Sequence, residues 1–262
     1  MNLNLKGKCA LVTAASRGLG RACAEALALE GADVAICSRN IEQIRKTANE
    51  ISINTGGNVR GFVCDLANSN DIDLLLSELR THFKKIDILV FNNGNLPPGS
   101  FSQVNMEQWH LGISMCLMPA IQLCNALISN MKENNWGRII FINSIFAKEP
   151  DPNYIISSTL RSGLLNFAKC IARELATNSI TVNSVLPGYF ETPLLRSLAE
   201  EEGTRINKDA RHVLNVWANM IPTNKLANPD QLGYLVAFLS SDLSENISGA
   251  SIPIDGCMAK SL

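Results

Sequence analysis

Short apolar runs alternate along the chain with longer stretches whose apolar positions recur at helical spacing. The runs predict strands over 9–13, 33–38, 58–65, 86–92, 137–143, 180–186 and 250–254. Most are near-continuously apolar, the pattern of strands covered on both faces. Between them the 3.6-residue period predicts helices over 18–30, 40–54, 69–84, 105–134, 155–177 and 229–241. Strand and helix in alternation imply right-handed crossovers and a parallel sheet with helices on both faces. The fold class is therefore α/β. No linker, charge run or repeat interrupts the pattern, so one domain is expected over 1–262. The exception to the alternation is 191–228, a long connection between the sixth strand and the last helix. Long ordered insertions are commonly substrate lids; a helical surface excursion would read the same way.

Composition narrows the function. The 262 residues are 46% hydrophobic and 18% charged, a soluble globular balance. A net charge of −1 leaves no electrostatic footprint for nucleic acid. Eight cysteines lie mostly inside apolar runs and form no CxxC pair, which reads as buried reduced thiols in a cytoplasmic protein. Met1 to Lys6 lacks the apolar core of a signal peptide. Residues 111–131 carry no formal charge and are long enough to span a bilayer. Ser114, Pro119, Gln122, Asn125, Ser129 and Asn130 favour a buried or interface helix instead, so no membrane partner is expected. His82, His110 and His212 are scattered, and no metal site is expected.

The chemistry concentrates at strand ends, where ligands bind in open parallel sheets. After the first strand comes Thr13-Ala14-Ala15-Ser16-Arg17-Gly18-Leu19-Gly20, followed by an alanine-rich helix. Strand, glycine turn and helix suit a pyrophosphate: backbone approaches closely and the helix start offers N–H groups. The second strand ends in Ser38-Arg39. An acid there bonds ribose hydroxyls, whereas a cation pairs a 2′-phosphate, so Arg39, with Arg17 as second cation, favours NADP. Asp65 with Leu66, and Asn92 with Gly94, end the third and fourth strands, where they can bond adenine edges and neighbouring backbone.

Together these residues resemble the short-chain dehydrogenase/reductases, over nearly the whole length. The matching features are Thr13, Gly18, Leu19 and Gly20; Asp65; Asn92 and Gly94; Trp109; Ser144; Pro187-Gly188-Tyr189-Phe190-Glu191-Thr192; and Ser248-Gly249 with Asp255-Gly256. The resemblance implies a Rossmann-type doubly wound sheet of about seven strands and a nicotinamide dinucleotide. It implies a Pro187-Gly188 turn facing the nicotinamide, with Thr192 near its carboxamide or the diphosphate. It also implies a homo-oligomer, a tetramer or dimer, pairing the two long middle helices. The family's first glycine is Ala14 here, which is expected to keep a negative φ. Its Asn-Asn-Ala-Gly reads Phe91-Asn92-Asn93-Gly94.

The catalytic set departs further. The family's Ser matches Ser144. Its Tyr and Lys fall on Ser157 and Arg161, and its helix Asn on Cys116. A serine hydroxyl is a far poorer acid than a phenol. Arg161 can hold the ribose and stay positive, yet it is no proton carrier. Tyr154, one turn before Ser157, is either a substitute proton donor or an aromatic wall of the substrate pocket. Lys148 reads as a solvated loop lysine and Cys116 as a small buried residue. The sequence points to an NADP-dependent oxidoreductase acting on the carbonyl or secondary alcohol of a small or acyl-type molecule. A non-redox dinucleotide-binding protein or non-catalytic subunit is the alternative.

Overall fold

The computed structural model describes residues 2–261. Seven strands form one parallel sheet: β1 (Cys9–Val12), β2 (Asp33–Ser38), β3 (Val59–Val63), β4 (Ile88–Phe91), β5 (Gly137–Ile142), β6 (Ile180–Pro187) and β7 (Ser251–Ile254). Their spatial order is β3-β2-β1-β4-β5-β6-β7. The order reverses between β1 and β4, which opens a crevice at the carboxyl ends of those two strands. The helices are α1 (Gly18–Leu29), α2 (Ile41–Thr55), α3 (Ser69–His82), α4 (Met106–Glu133), α5 (Ile155–Leu175), α6 (Pro193–Ile206), α7 (Ala210–Asn219) and α8 (Pro229–Leu239).

Each sheet face builds its own core. On one side Phe91, Phe141 and Ile139 meet α3, α4 and α5 through Leu75, Leu123 and Leu164. On the other, Val12, Ile36 and Ile140 meet α1, α2 and α8 through Leu27, Ile44 and Val236. Helix starts are set by short polar side chains. Asn40, Asn68, Thr192, Asp209 and Asn228 each cap a helix, and Asn105 with Gln108 forms a reciprocal capping box on α4.

Three sequence expectations gain detail. Helix α4 is long and apolar enough to cross a membrane by composition. Its inner stripe of Cys116, Ala120, Leu123, Cys124 and Leu127 is nevertheless packed into the core, while Leu111 and Met118 face outward. The segment 191–228 holds α6 and α7, packed on each other. Its two ends are pinned together: Glu191 N donates to Ala227 O at 2.9 Å and Ala227 N to Tyr189 O at 3.0 Å. Of the eight cysteines, all free, Cys170 and Cys257 are exposed and Cys9 half-buried; only five are core residues.

Candidate active site

The glycine turn sits at the carboxyl end of β1. Thr13 Oγ1 donates to Asn92 O at 2.6 Å and accepts from Asn92 N at 2.9 Å. Asn92 Nδ2 in turn donates to Ala14 O at 3.2 Å. These bonds lock the ends of β1 and β4 together under the turn. Gly20 has no room for a side chain: a Cβ would lie 2.7 Å from Ala14 O and 2.9 Å from Ala15 Cα. Ala14 differs from expectation. Its φ is +47°, the left-handed region that a methyl disfavours, because the turn requires that backbone whichever residue occupies it.

The start of α1 is open to an anion. Arg17 at its N-cap makes no capping bond, and no acid lies in the first turn. The early N–H groups thus keep their donors and the positive helix end. Across from the turn stands Thr192; a Cβ on Gly18 would lie 3.6 Å from its side chain. The wall carrying Thr192 is fixed by Gly188, whose N–H donates to Ile254 O at 3.1 Å and where a Cβ would meet Asp255 at 2.8 Å. Phe190 is buried in the core and anchors this loop from below. Ser16 O accepts from buried Thr47 Oγ1 at 2.9 Å, tying the turn to α2.

Arg17 and Arg39 are exposed and join no ion pair among the described residues, whereas Arg21 beside them is paired with Glu50 at 2.7 Å. The partly buried Ser38 ends β2 just before Arg39 and donates weakly to Asn40 O. Asp65 is organised as a turn, accepting from Ala67 N at 3.1 Å, with Leu66 partly buried beside it. Gly94 is exposed at the end of β4. An uncapped helix start, a close backbone approach at Gly20 and two guanidiniums without an ion pair among the described residues fit a phosphorylated dinucleotide.

The second half of the site lies at the ends of β4 and β5. Ser144 caps a short 3-10 turn, accepting from Phe146 N at 3.2 Å. Ser157 and Arg161 share one face of α5. Arg161 Nε donates to Ser157 Oγ at 3.2 Å and Arg161 Nη1 to Asn143 O at 2.8 Å. Asn143 Nδ2 returns a bond to Arg161 O at 3.1 Å. A chain of contacts thus runs from Ser157 through the guanidinium to the residue preceding Ser144. Burial pulls the Arg161 pKa below its ordinary value. Burial also pushes the Cys116 thiol up, offset in part by Arg161 and by a bond from Asn93.

Tyr154 is the N-cap of α5 and stacks on Phe146 with centroids 5.0 Å apart. Its phenol is raised above its ordinary pKa by burial, with Asp151 and Glu202 adding to the effect. Lys148 is partly buried rather than solvated.

Two asparagines were not singled out from the sequence. Asn93 and Asn143 extend β4 and β5 two residues beyond the paired Phe91 and Phe141, and both are buried. Asn93 Nδ2 donates to Met115 O at 3.3 Å; the Oδ1 atoms of both have no protein partner. A polar residue at the end of an apolar strand was the available signal.

A family model described as enoyl-(acyl carrier protein) reductase matches residues 13–259. The chain belongs to the short-chain dehydrogenase/reductase family. It is 32% identical over 256 residues to the 3-oxoacyl-[acyl-carrier-protein] reductase of Escherichia coli, covering 98% of this chain and 99% of that one. The corresponding reductase of Aquifex aeolicus is 30% identical over 258 residues, covering 98% and 100%. Among solved structures, L-sorbose reductase from Gluconobacter frateurii, complexed with NADPH and L-sorbose, superposes with a TM-score of 0.96 at 28% identity and full coverage of both chains. A single-substitution variant of the actinorhodin polyketide ketoreductase, with NADPH, gives 0.90 at 26% identity, covering 97% and 98%. As a short-chain dehydrogenase/reductase, the chain is an NAD(P)-dependent oxidoreductase. The Rossmann-type sheet and the glycine turn are where the sequence put them.

Proposed function

We propose that this protein uses NADPH to reduce a ketone at the carboxyl ends of β4 and β5, with Ser144, Ser157 and Arg161 in place of a phenol–amine set. The observation that carries the reading is the bond from Arg161 Nε to Ser157 Oγ. Because Ser157 accepts there, its own hydrogen is free to turn into the cleft. The adjacent cation favours negative charge developing on that hydroxyl and on a carbonyl oxygen beside it. Arg161 is held by the backbone carbonyl of Asn143 and keeps its proton, so it acts as fixed charge and ribose anchor. Ser144 donates a second bond to the same carbonyl oxygen.

When bound, the nicotinamide supplies the hydride, and proximity carries much of the acceleration. The residues that would hold the dinucleotide are Thr13, Ser16, Gly18, Leu19 and Gly20 at the diphosphate and Arg17, Ser38 and Arg39 at the 2′-phosphate. Asp65, Leu66, Asn92 and Gly94 serve the adenosine side, and Arg161, Pro187, Gly188, Phe190 and Thr192 the nicotinamide side. Tyr154 is read as wall rather than proton donor: its phenol is raised, and the cation of α5 is on Ser157 instead. The α6–α7 segment is read as the lid. The outward apolar stripe of α4 is read as the contact between copies in a homo-oligomer.

The test is NADPH consumption with a panel of ketones. Turnover abolished by Ser144→Ala supports the reading. Tight NADPH binding with no turnover of any ketone overturns it in favour of a non-redox dinucleotide-binding protein.

A further inference from the structure

Two stacked aromatic pairs flank the catalytic end of the sheet. Phe146 and Tyr154 lie 5.0 Å apart at 19°, and Tyr189 and Trp217 lie 5.7 Å apart at 17°. The four rings come from four places in the chain: the turn after Ser144, the cap of α5, the residue after Gly188, and α7. None is fully buried. The two pairs follow neighbouring strands, Phe146 after β5 and Tyr189 after β6, and the Asp151 carboxylate and the Tyr154 phenol both act on Tyr189. On α7, Trp217 is one turn after buried Val213, so it points inward with the core face while Arg211 points away.

The α6 cations are engaged: Arg196 is held by Glu191 at 2.6 Å and Arg205 by Glu202 at 2.7 Å. The carboxylate of Asp151, close to Tyr154, accepts from Asn153 N at 2.8 Å. An anionic substrate would meet that carboxylate beside the rings. Flat ring faces instead favour an offset-stacked flat partner, at about 0.5–1.5 kcal/mol per pair beyond burial.

Building on the proposed reductase reading, we infer that the substrate is an uncharged, planar ring ketone held between the Tyr154 and Tyr189–Trp217 walls, rather than an acyl chain on a carrier. The two phenols at the ends of the walls donate to ring substituents. The ketone enters with its carbonyl toward Ser144 and Ser157. Hydride from NADPH forms the C–H bond, the carbonyl oxygen takes the proton of the Ser157 hydroxyl, which solvent water restores, and NADP+ and a ring alcohol leave.

The experiment compares tetralone with the acetoacetyl thioester of N-acetylcysteamine, each with saturating NADPH. A kcat/KM for tetralone about tenfold above that for the thioester is expected. Trp217→Ala should raise KM for tetralone about fivefold with kcat within about twofold. The thioester's KM should change less than tetralone's, and Trp217→Phe, which keeps the stacked face, should restore most of the tetralone affinity. Independently of turnover, tetralone should quench tryptophan fluorescence, and the quench should vanish in Trp217→Phe while Trp109 and Trp136 still emit. Preference for the thioester, equal losses for both substrates in Trp217→Ala, or no quench overturns the inference and leaves the reductase reading intact. A quench that depends on Trp217, without turnover of either ketone, upholds the ring site and overturns the reductase reading.

Discussion

Arg161 Nε donates to Ser157 Oγ across 3.2 Å, and the same guanidinium reaches the carbonyl of Asn143 at 2.8 Å. One side chain therefore orients a hydroxyl and ties α5 to the end of β5. Its two roles separate by substitution. Ser157→Ala removes only the hydroxyl, so kcat should fall about 10- to 100-fold while NADPH affinity stays within about twofold. Arg161→Met removes the ties as well and strands buried carbonyl oxygens, at about 1–3 kcal/mol each. Thermal unfolding should then show a lowered Tm for Arg161→Met and an unchanged one for Ser157→Ala.

On the proposed reading, cofactor choice rests on Arg39 and Arg17, which are exposed and join no ion pair among the described residues. Arg39→Asp replaces a 2′-phosphate partner by a repelling carboxylate. It should weaken NADPH by about tenfold or more and leave NADH within about threefold. Arg17→Ala should act in the same direction and less strongly. Kd values for both nucleotides, read from nicotinamide fluorescence, decide the matter. Equal losses for the two would remove the phosphate from the argument.

Ala14 sits at φ +47°, a conformation that costs an alanine about 1–2 kcal/mol. Ala14→Gly relieves that strain and adds about 0.5–1 kcal/mol of unfolded-chain entropy. A net gain of about 0.5–1 kcal/mol is expected in urea unfolding. Gly20→Ala should do the reverse, since its methyl would press on Ala14 O at 2.7 Å. That variant should lose dinucleotide binding even where it still folds.

The sheet was legible because buried parallel strands are apolar throughout and each ends in a turn residue with a distinct chemistry. Thr13, Asp65 and Asn92 stand out as polar residues at strand ends, whereas Ser144 entered only with the family resemblance. The sign of φ at Ala14 could not, because alanine's preference favours one answer and the turn enforces the other. Asn93 and Asn143 each end an apolar strand, but they come into line only when β4 and β5 pair in register, a long-range fact. The stacking of Tyr189 on Trp217 joins residues in separate elements, and no periodicity announces it. Exposure of Cys170 was hidden for a related reason: it follows Lys169 on α5, facing out from a helix whose other side is core.

The thiols offer a direct check on the packing. Burial pushes the Cys124 thiol up to about 12, and Cys9, half-buried beside Asp87, up to about 11. Thiolates, not thiols, attack a disulfide reagent, so these should stay silent in native protein. Cys170 and Cys257 are exposed and should be labelled at once. Mass spectrometry after a short pulse at neutral pH should find modification at those two positions and none at Cys116, whose thiol burial also pushes up. Rapid labelling of Cys116 would contradict the packed α4–α5 interface around Arg161.

The aromatic walls should carry an alkaline limit on stability. Burial raises both Tyr154 and Tyr189 above the ordinary phenol value, with Asp151 contributing to each. The fold thus favours the neutral phenols, while the unfolded chain ionises near the usual value of about 10. Their contribution is complete below that pH and is lost as pH climbs through the raised folded-state values. Lys8 shifts downward, mainly through burial, and pulls stability the other way over the same range. The informative quantity is therefore the difference between wild type and variant. Tyr154→Phe and Tyr189→Phe should each flatten the fall of Tm above about pH 10, and the double variant should flatten it further. Parallel curves for wild type and both variants would mean that the phenols ionise as freely in the folded protein as in water.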